Sequence, residues 1–145
     1  RIAGINVVGG EETFPGVVNS WIVNLHEFQF GAVGITSEAA KRAGFDPISI
    51  GLASSSKPTY YPDSYKVVAR LVVDRETRRV LGLHIFGYGD VSRWLDVGTQ
   101  LVTRKCTVDE MAKVELAYTP SVRECVDLLH KLAEAALRKL RREAS

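Results

Sequence analysis

The segment Tyr65–Gly87 has the sequence YKVVARLVVDRETRRVLGLHIFG, which predicts a long antiparallel β-hairpin. In its first half, every second residue from 65 to 73 is apolar, and the residues between them include Lys66 and Arg70. This is the period-two pattern of a strand that buries one face. An isolated hairpin is only marginally stable in water, so we expect this one to pack against further strands and helices. The second half repeats the alternation, and its predicted buried face consists of Leu81, Leu83 and Ile85.

The two halves of the hairpin are joined by a charged loop, RETR, at 75–78. A connection of this length suits a type I turn followed by one left-handed residue, which here is Arg78. Glycine adopts that conformation more easily, so either the turn differs or Arg78 accepts some strain. The carboxylate of Asp74 is expected to accept N–H groups of the turn.

Length and composition indicate one ordinary globular domain. The chain has 145 residues, of which 46% are hydrophobic and 25% are charged, and this is sufficient for a single core. The net charge of +2 is too small to indicate nucleic-acid binding. No apolar run reaches the roughly 18 residues of a membrane span.

Two cysteines without a CxxC and three scattered histidines exclude a zinc cluster and argue against a secreted disulfide scaffold. We therefore expect a cytoplasmic protein.

The segments before the hairpin predict strands and one short helix. Two runs within 17–35 predict adjacent strands, and Thr36 is expected to cap a helix that ends at Gly44. Residues 46–53 predict another strand. The segment 54–63, SSSKPTYYPD, is dense in turn formers and predicts a surface loop.

Three helices are expected after the hairpin. Asp90 is expected to cap the first, and a capping box of Thr107 and Glu110 starts the second. A similar box at 121–124 predicts a long last helix, whose apolar stripe would contain Val122, Cys125, Leu129, Leu132, Ala136 and Leu140. Together these elements predict an α+β fold, in which an antiparallel sheet of about five strands is covered by helices.

Few residues qualify for chemistry. The GYG at 87–89 lacks the third glycine of a dinucleotide-binding motif, and the sequence contains no P-loop. His26, which we predict within a strand, and His84, on the polar face of the hairpin, have no Cys or carboxylate at ligand spacing, so metal binding is not expected. Cys106 precedes a helix cap and Cys125 lies on the predicted apolar stripe, and both are interpreted as structural thiols.

The basic end of the chain, RKLRREAS at 138–145, has two interpretations. It can bind a phosphate backbone, or it can complement the dipole of the last helix and remain solvated. We favour the second interpretation, because basic residues are common in the last turns of helices.

Three tyrosines lie in irregular segments, where side chains often meet ligands or partners. Tyr60 and Tyr61 belong to the predicted surface loop, and Tyr118 lies beside Pro120 just before a predicted helix. Their hydroxyl groups are placed to contact a ligand, yet tyrosines in such positions also pack across interfaces. The residues alone leave both interpretations open.

Several short motifs, in this order and at this spacing, resemble a known protein family. They are FPG at 14–16, VGIT at 33–36 with EAAKRAGF at 38–45, YYP at 60–62, KVVARLVVDRET at 66–77 with LG at 81–82, and LAYTP at 116–120. The series resembles the C-terminal domain of FAD-dependent pyridine nucleotide-disulfide oxidoreductases, most closely the coenzyme A-disulfide reductase and NADH oxidase branch. The opening RIAGINVVGG resembles the last helix of that family's flavin domain. Residues 1–14 are therefore expected to be a helix tail and linker, and residues 15–145 the dimerisation domain.

The resemblance implies a homodimer in which this domain is not catalytic alone but lends residues to the flavin and thiol site of the partner subunit. Tyr61 and Tyr118 would approach the redox centre, and Tyr60 would contact the thiol substrate. A tyrosine hydroxyl there would hydrogen-bond to a developing thiolate or a peroxo-level oxygen. FAD and NAD(P)H would bind to the flavin and NAD domains of the same protein, and this chain alone would bind neither.

Two departures from the family pattern limit what the resemblance implies. The glutathione-reductase branch has a His-Pro near the position of Tyr118 and a following glutamate, and here the histidine is missing. The coenzyme A-disulfide branch continues with a Pro-aromatic-Ser run and a Trp-Asp-Pro, whereas this chain has SVRECVD at 121–127. The alternative function is a free-standing interaction module, whose last amphipathic helix binds another protein or, with less support, a nucleic acid.

Overall fold

A computed structural model of the chain describes residues 1–143. Ala144 and Ser145, which end the predicted domain and the basic segment, lie outside the described residues. In chain order the elements of the described residues are α1 (Ile2–Val7), β1 (Trp21–Leu25), β2 (Phe28–Gly34), α2 (Ser37–Arg42), β3 (Pro47–Ser55), β4 (Lys66–Asp74), β5 (Val80–Tyr88), α3 (Ser92–Thr103), α4 (Val108–Met111) and α5 (Leu128–Glu143). The strands form one antiparallel sheet of five, in the order β1-β2-β5-β4-β3, which confirms the predicted α+β fold.

The β4–β5 hairpin lies in the middle of the sheet, where β4 pairs with β3 and β5 pairs with β2. One face of the sheet is covered by α3, α4 and α5, which form a continuous apolar core with it. The periodicity predicted for β4 is confirmed, because its core-facing residues are each at most 2% exposed: Val67, Ala69, Leu71 and Val73.

A β-bulge interrupts the alternation predicted for β5. Val72 of β4 pairs with Gly82 of β5, but the next residue, Val73, pairs with Val80. Leu81 is therefore an extra residue in β5 without a partner in β4. The bulge turns Leu81 to the other face of the sheet, where it packs against Val72 and against Ala40 of α2. The prediction that Leu81 shares a face with Leu83 and Ile85 is therefore wrong, because one inserted residue reverses the in-and-out alternation.

The turn of the hairpin has the predicted conformation. Arg78 is left-handed, with φ of 60°. Asp74 accepts hydrogen bonds from the backbone N–H of Thr77 at 3.1 Å, from the Thr77 hydroxyl at 2.5 Å and from the N–H of Asp46 at 3.1 Å. Burial opposes ionisation of this carboxyl, but the hydrogen bonds outweigh it and lower the pKa of Asp74. The charged side chain thereby links the turn to the start of β3.

The first two strands are joined by a tight turn that the sequence analysis placed inside a strand. Leu25 of β1 pairs with Phe28 of β2, so His26 and Glu27 form the connection. His26 has φ of 55°, a conformation that histidine tolerates better than most residues. The prediction of His26 within a strand is wrong for this reason.

The start of α4 follows the predicted chemistry, whereas α3 starts one residue later than predicted, because Val91 and not Asp90 is its N-cap. The helix α3 begins at Ser92, and Asp90 accepts the N–H of that residue at 2.8 Å. At α4, the hydroxyl of Thr107 accepts the N–H of Glu110, whose carboxylate in turn accepts the N–H of Thr107 at 2.7 Å. The predicted capping box is therefore confirmed.

The last helix begins later than the sequence predicts, because residues 121–127 form turns instead of helix. Asp127 accepts the N–H of Leu129 at 3.0 Å and so caps α5. Val122 and Cys125 are exposed, and their predicted places on the apolar stripe are wrong. The rest of the stripe faces the core, with Leu129, Leu132 and Ala136 buried and Leu140 partly buried.

Within residues 1–143, the helices are too short or too polar to cross a lipid bilayer.

Replacing Asp74 by asparagine is expected to lower the free energy of unfolding at neutral pH by about 1–3 kcal/mol, because an amide oxygen accepts these hydrogen bonds less strongly than a carboxylate. The pKa of Asp74 is depressed in the folded state, so its stabilisation is present above the unfolded pKa of about 3.9 and is lost as the pH falls through the folded pKa.

Urea unfolding of both forms at neutral and acidic pH measures this difference. Asp96→Asn, which changes an exposed carboxylate on α3, is the matched control. A stability difference for Asp74→Asn that stays constant down to acidic pH would contradict the assignment.

Candidate functional site

The YYP loop, residues 56–65, connects β3 to β4 and carries two of the three predicted site tyrosines. Its base is closed by two hydrogen bonds, in which Ser56 N–H donates to the carbonyl of Tyr65 at 2.9 Å and Tyr65 N–H donates to the Ser56 hydroxyl at 3.2 Å. Nearer the tip, the N–H of Tyr61 donates to the carbonyl of Pro58 at 3.0 Å. A series of turns therefore supports the backbone of both tyrosines.

The side chains of Tyr60 and Tyr61 lie against each other, with ring centroids 4.9 Å apart and planes tilted by 37°. The ammonium group of Lys57 lies 5.8 Å from the centre of the Tyr61 ring and forms an ion pair with Asp63 at 2.5 Å. This hydrogen bond from Lys57 lowers the pKa of Asp63. Tyr60 is 74% exposed, so its hydroxyl is available to a ligand or partner.

The Tyr118 loop, residues 117–127, is the second part of the connection between α4 and α5. Directly after Tyr118, the carbonyl of Thr119 accepts the N–H groups of Val122 at 3.0 Å and Arg123 at 3.1 Å. Tyr118 is 53% exposed. The second loop thus presents its tyrosine to solvent from a hydrogen-bonded turn.

Tyr118 lies within electrostatic range of the other two tyrosines. Desolvation raises the pKa of Tyr118, and the acidic groups of Cys125, Tyr60 and Tyr61 raise it further. Like any tyrosine hydroxyl at neutral pH, its hydroxyl is protonated and can donate a hydrogen bond. Cys125, which we predicted to be a packed thiol, is instead exposed beside these tyrosines. The three tyrosines are called the tyrosine cluster below.

Arg93, which the sequence analysis missed, joins the two loops. Its guanidinium donates to the carbonyl of Ser56 at 2.6 Å and to the carbonyl of Val122 at 2.5 Å. The same group lies 4.1 Å from the ring centre of Trp94. Burial lowers the pKa of Arg93, although an arginine remains cationic in a protein. In the sequence, Arg93 is one charged residue on an amphipathic helix, and nothing distinguishes it from its neighbours.

A buried carboxylate lies next to this arginine. Asp127 is 2% exposed and accepts the indole N–H of Trp94 at 3.0 Å. Because the same carboxylate caps α5 through Leu129, it fixes the end of the Tyr118 loop to α3. Arg123 lies 3.9 Å from Asp127 and adds a positive charge beside it.

The remaining candidate residues lie away from the tyrosine cluster. His84 is half-buried on the face of the sheet opposite α3 and α5, and burial together with the charge of Arg70 lowers the pKa of His84. This face forms an open apolar depression of about 650 Å³. Cys106 is partly buried and packs against the core, as expected for a structural thiol. Residues 1–143 contain no group of His, Cys, Asp and Glu side chains that could hold a metal ion.

The sequence also matches a family profile, the dimerisation domain of the pyridine nucleotide-disulphide oxidoreductases, over residues 22–129. The chain belongs to this family of dimerisation domains.

Several known proteins are similar to this chain over most of its length. The NAD(P)H sulfur oxidoreductase (CoA-dependent) of Pyrococcus furiosus is 32% identical to it, over 91% of this chain and 30% of the relative. The NADH oxidase of Methanocaldococcus jannaschii is 30% identical, over 97% and 31%. The structure of a NAD-dependent persulfide reductase from A. fulgidus superposes with a TM-score of 0.89 at 30% identity, over 97% of this chain and 26% of that one. The chain thus spans less than a third of the length of these relatives.

The Tyr118 phenol is expected to ionise above the ordinary tyrosine range, at a pH higher than about 10, because of its surroundings. Comparing the ultraviolet titration of the wild type with that of Tyr118→Phe isolates its contribution. Cys125→Ser is expected to move this transition to lower pH, because the substitution removes a neighbouring negative charge. Tyr88→Phe, at an exposed tyrosine of β5, is the control. Ionisation of Tyr118 within or below the ordinary range would refute the arrangement.

Proposed function

We propose that this chain serves as the homodimerisation domain of a flavin-dependent NAD(P)H oxidoreductase and that its tyrosine cluster completes the flavin and thiol site of the partner subunit. The observation that carries the proposal is that Arg93 joins the YYP loop and the Tyr118 loop at the surface, where Tyr60 and Tyr118 are exposed. Exposed phenols held by irregular loops on a rigid sheet are suited to act on a ligand supplied from outside the chain.

Each tyrosine has a distinct role in this proposal. Tyr61 and Tyr118 donate hydrogen bonds to a developing thiolate or a peroxo-level oxygen, because both hydroxyl groups are protonated at neutral pH. Tyr60 contacts the thiol substrate. FAD and NAD(P)H bind to the flavin and NAD domains of the same protein. Residues 1–14 are the tail of the flavin-domain helix with its linker, residues 15–145 are the dimerisation domain, and the protein works in the cytoplasm.

The alternative, an interaction module that binds partners through its last helix, has less support. The apolar face of α5 is already occupied, because Leu129, Leu132 and Ala136 are buried against the sheet. Its basic residues are partly neutralised, since Arg138 lies 3.8 Å from Glu134.

Light scattering of the chain at micromolar concentration is expected to give a dimer, twice the chain mass of 16.0 kDa. A dilution series measures whether this mass falls as the concentration decreases, as for any reversible dimer. A monomer at all concentrations that binds RNA or DNA with a steep salt dependence would instead support the interaction module.

In the full-length protein, Tyr61→Phe and Tyr118→Phe are each expected to lower kcat by about 10²-fold, because each removes one hydrogen-bond donor to developing negative charge. Flavin content, measured by absorbance, is expected to stay unchanged. Tyr88→Phe, outside the tyrosine cluster, controls for the loss of a hydroxyl. Normal turnover in both cluster variants would remove the catalytic role assigned to these residues.

A further inference from the structure

We infer that Arg93 is a positioning residue, which holds the YYP loop and the Tyr118 loop in one fixed arrangement through two hydrogen bonds from a single guanidinium. The expected effect of Arg93 on turnover rests on the proposed function, whereas its expected effect on the order of the two loops is independent of that function.

The two carbonyl groups that Arg93 contacts belong to different loops. Ser56 lies at the base of the YYP loop and is 2% exposed. Val122 lies in the turn that follows Tyr118. The donor distances are 2.6 Å and 2.5 Å. Because a guanidinium is planar and rigid, its two donors fix the relative positions of both acceptors.

Arg93 is itself held on a rigid element. It lies in the first turn of α3, next to Trp94, whose ring it contacts and whose indole N–H is bonded to buried Asp127. Tyr65 supports the same region by donating its hydroxyl to the carbonyl of Asp90 at 2.5 Å. By contrast, neither loop contains helix or strand. The arginine therefore connects two irregular segments to a helix that the core fixes in place.

The position of Arg93 bears directly on the tyrosine cluster. The YYP loop carries Tyr60 and Tyr61, and the Tyr118 loop carries the third phenol, whose pKa is raised in part by the other two. Loss of the link between the loops is expected to weaken this mutual influence. Arg93 thus positions the two loops that carry the phenols, through hydrogen bonds to their backbone carbonyl groups.

Hydrogen exchange of the chain measures this link directly. In Arg93→Lys, the charge and most of the stem are retained, but one ammonium group cannot reproduce the rigid fork between two carbonyls. Amide exchange is expected to rise about tenfold in both loops, at Tyr61 and at Val122, while β4 stays protected. Arg93→Ala is expected to give the same pattern, and if it does not fold, the lysine variant alone decides.

Lys57→Ala is the matched control, because the ion pair of Lys57 with Asp63 lies entirely within the YYP loop. Its exchange is expected to rise in that loop alone. The positioning role would be overturned if amide exchange at Val122 were unchanged in Arg93→Lys, or if both loops of that variant were as protected as in the wild type.

The titration of the Tyr118 phenol is a second measurement, which distinguishes a change in the relative position of the two loops from a general loss of order in them. In Arg93→Lys, the Tyr118 phenol is expected to ionise at lower pH than in the wild type, since Tyr60 and Tyr61 move away from it. In Lys57→Ala a smaller shift is expected, because the link between the loops remains. An unshifted Tyr118 titration in Arg93→Lys would also count against the role.

The two proposals fail in different ways. If exchange rises in both loops of Arg93→Lys while Tyr61→Phe and Tyr118→Phe keep normal turnover, the proposed function is wrong and the positioning role stands. If the phenylalanine variants lose turnover while exchange is unchanged in Arg93→Lys, the proposed function stands and the positioning role is wrong. When both are right, Arg93→Lys in the full-length protein lowers kcat by a larger factor than it changes KM.

Discussion

Burial of one face of the β4–β5 hairpin is the constraint on which the other elements depend, because its apolar residues form the side of the core against which the helices pack. The close approach of α3 to the sheet depends on glycine at two positions. A Cβ atom at Gly98 would lie 2.7 Å from Leu83, and one at Gly31 would lie 2.4 Å from Leu95. Both distances are too short for a carbon contact, so the two glycines set how closely α3 packs.

The same hairpin determines where the tyrosine cluster forms. The YYP loop enters β4 and the start of α3 follows β5, and the antiparallel pairing of Val67 with Gly87 brings both to the same end of the sheet. Arg93 is therefore adjacent to Ser56 although the two are far apart in sequence. The hairpin thus acts as a scaffold that places phenol groups.

The polar contacts around α3 explain how a surface site is kept in order beside an apolar core. Asp127 is buried, and a buried carboxylate is stable only when its hydrogen bonds are satisfied. The indole of Trp94 and the N–H of Leu129 satisfy it. This places the beginning of α5 and, with it, the end of the Tyr118 loop.

Features that depend on residues close together in the chain could be predicted from the sequence: the period of β4, the left-handed Arg78, the carboxylate of Asp74 in the turn and the capping box at Thr107. Local chemistry specifies them, because the residues involved lie within a few positions of one another. The start of α5, the exposure of Cys125 and the contacts of Arg93 are visible only in the folded structure. The box predicted at 121–124 does not start α5; Asp127 caps the helix instead, and its carboxylate also accepts the indole N–H of Trp94 on α3, a contact between distant residues that no local pattern encodes.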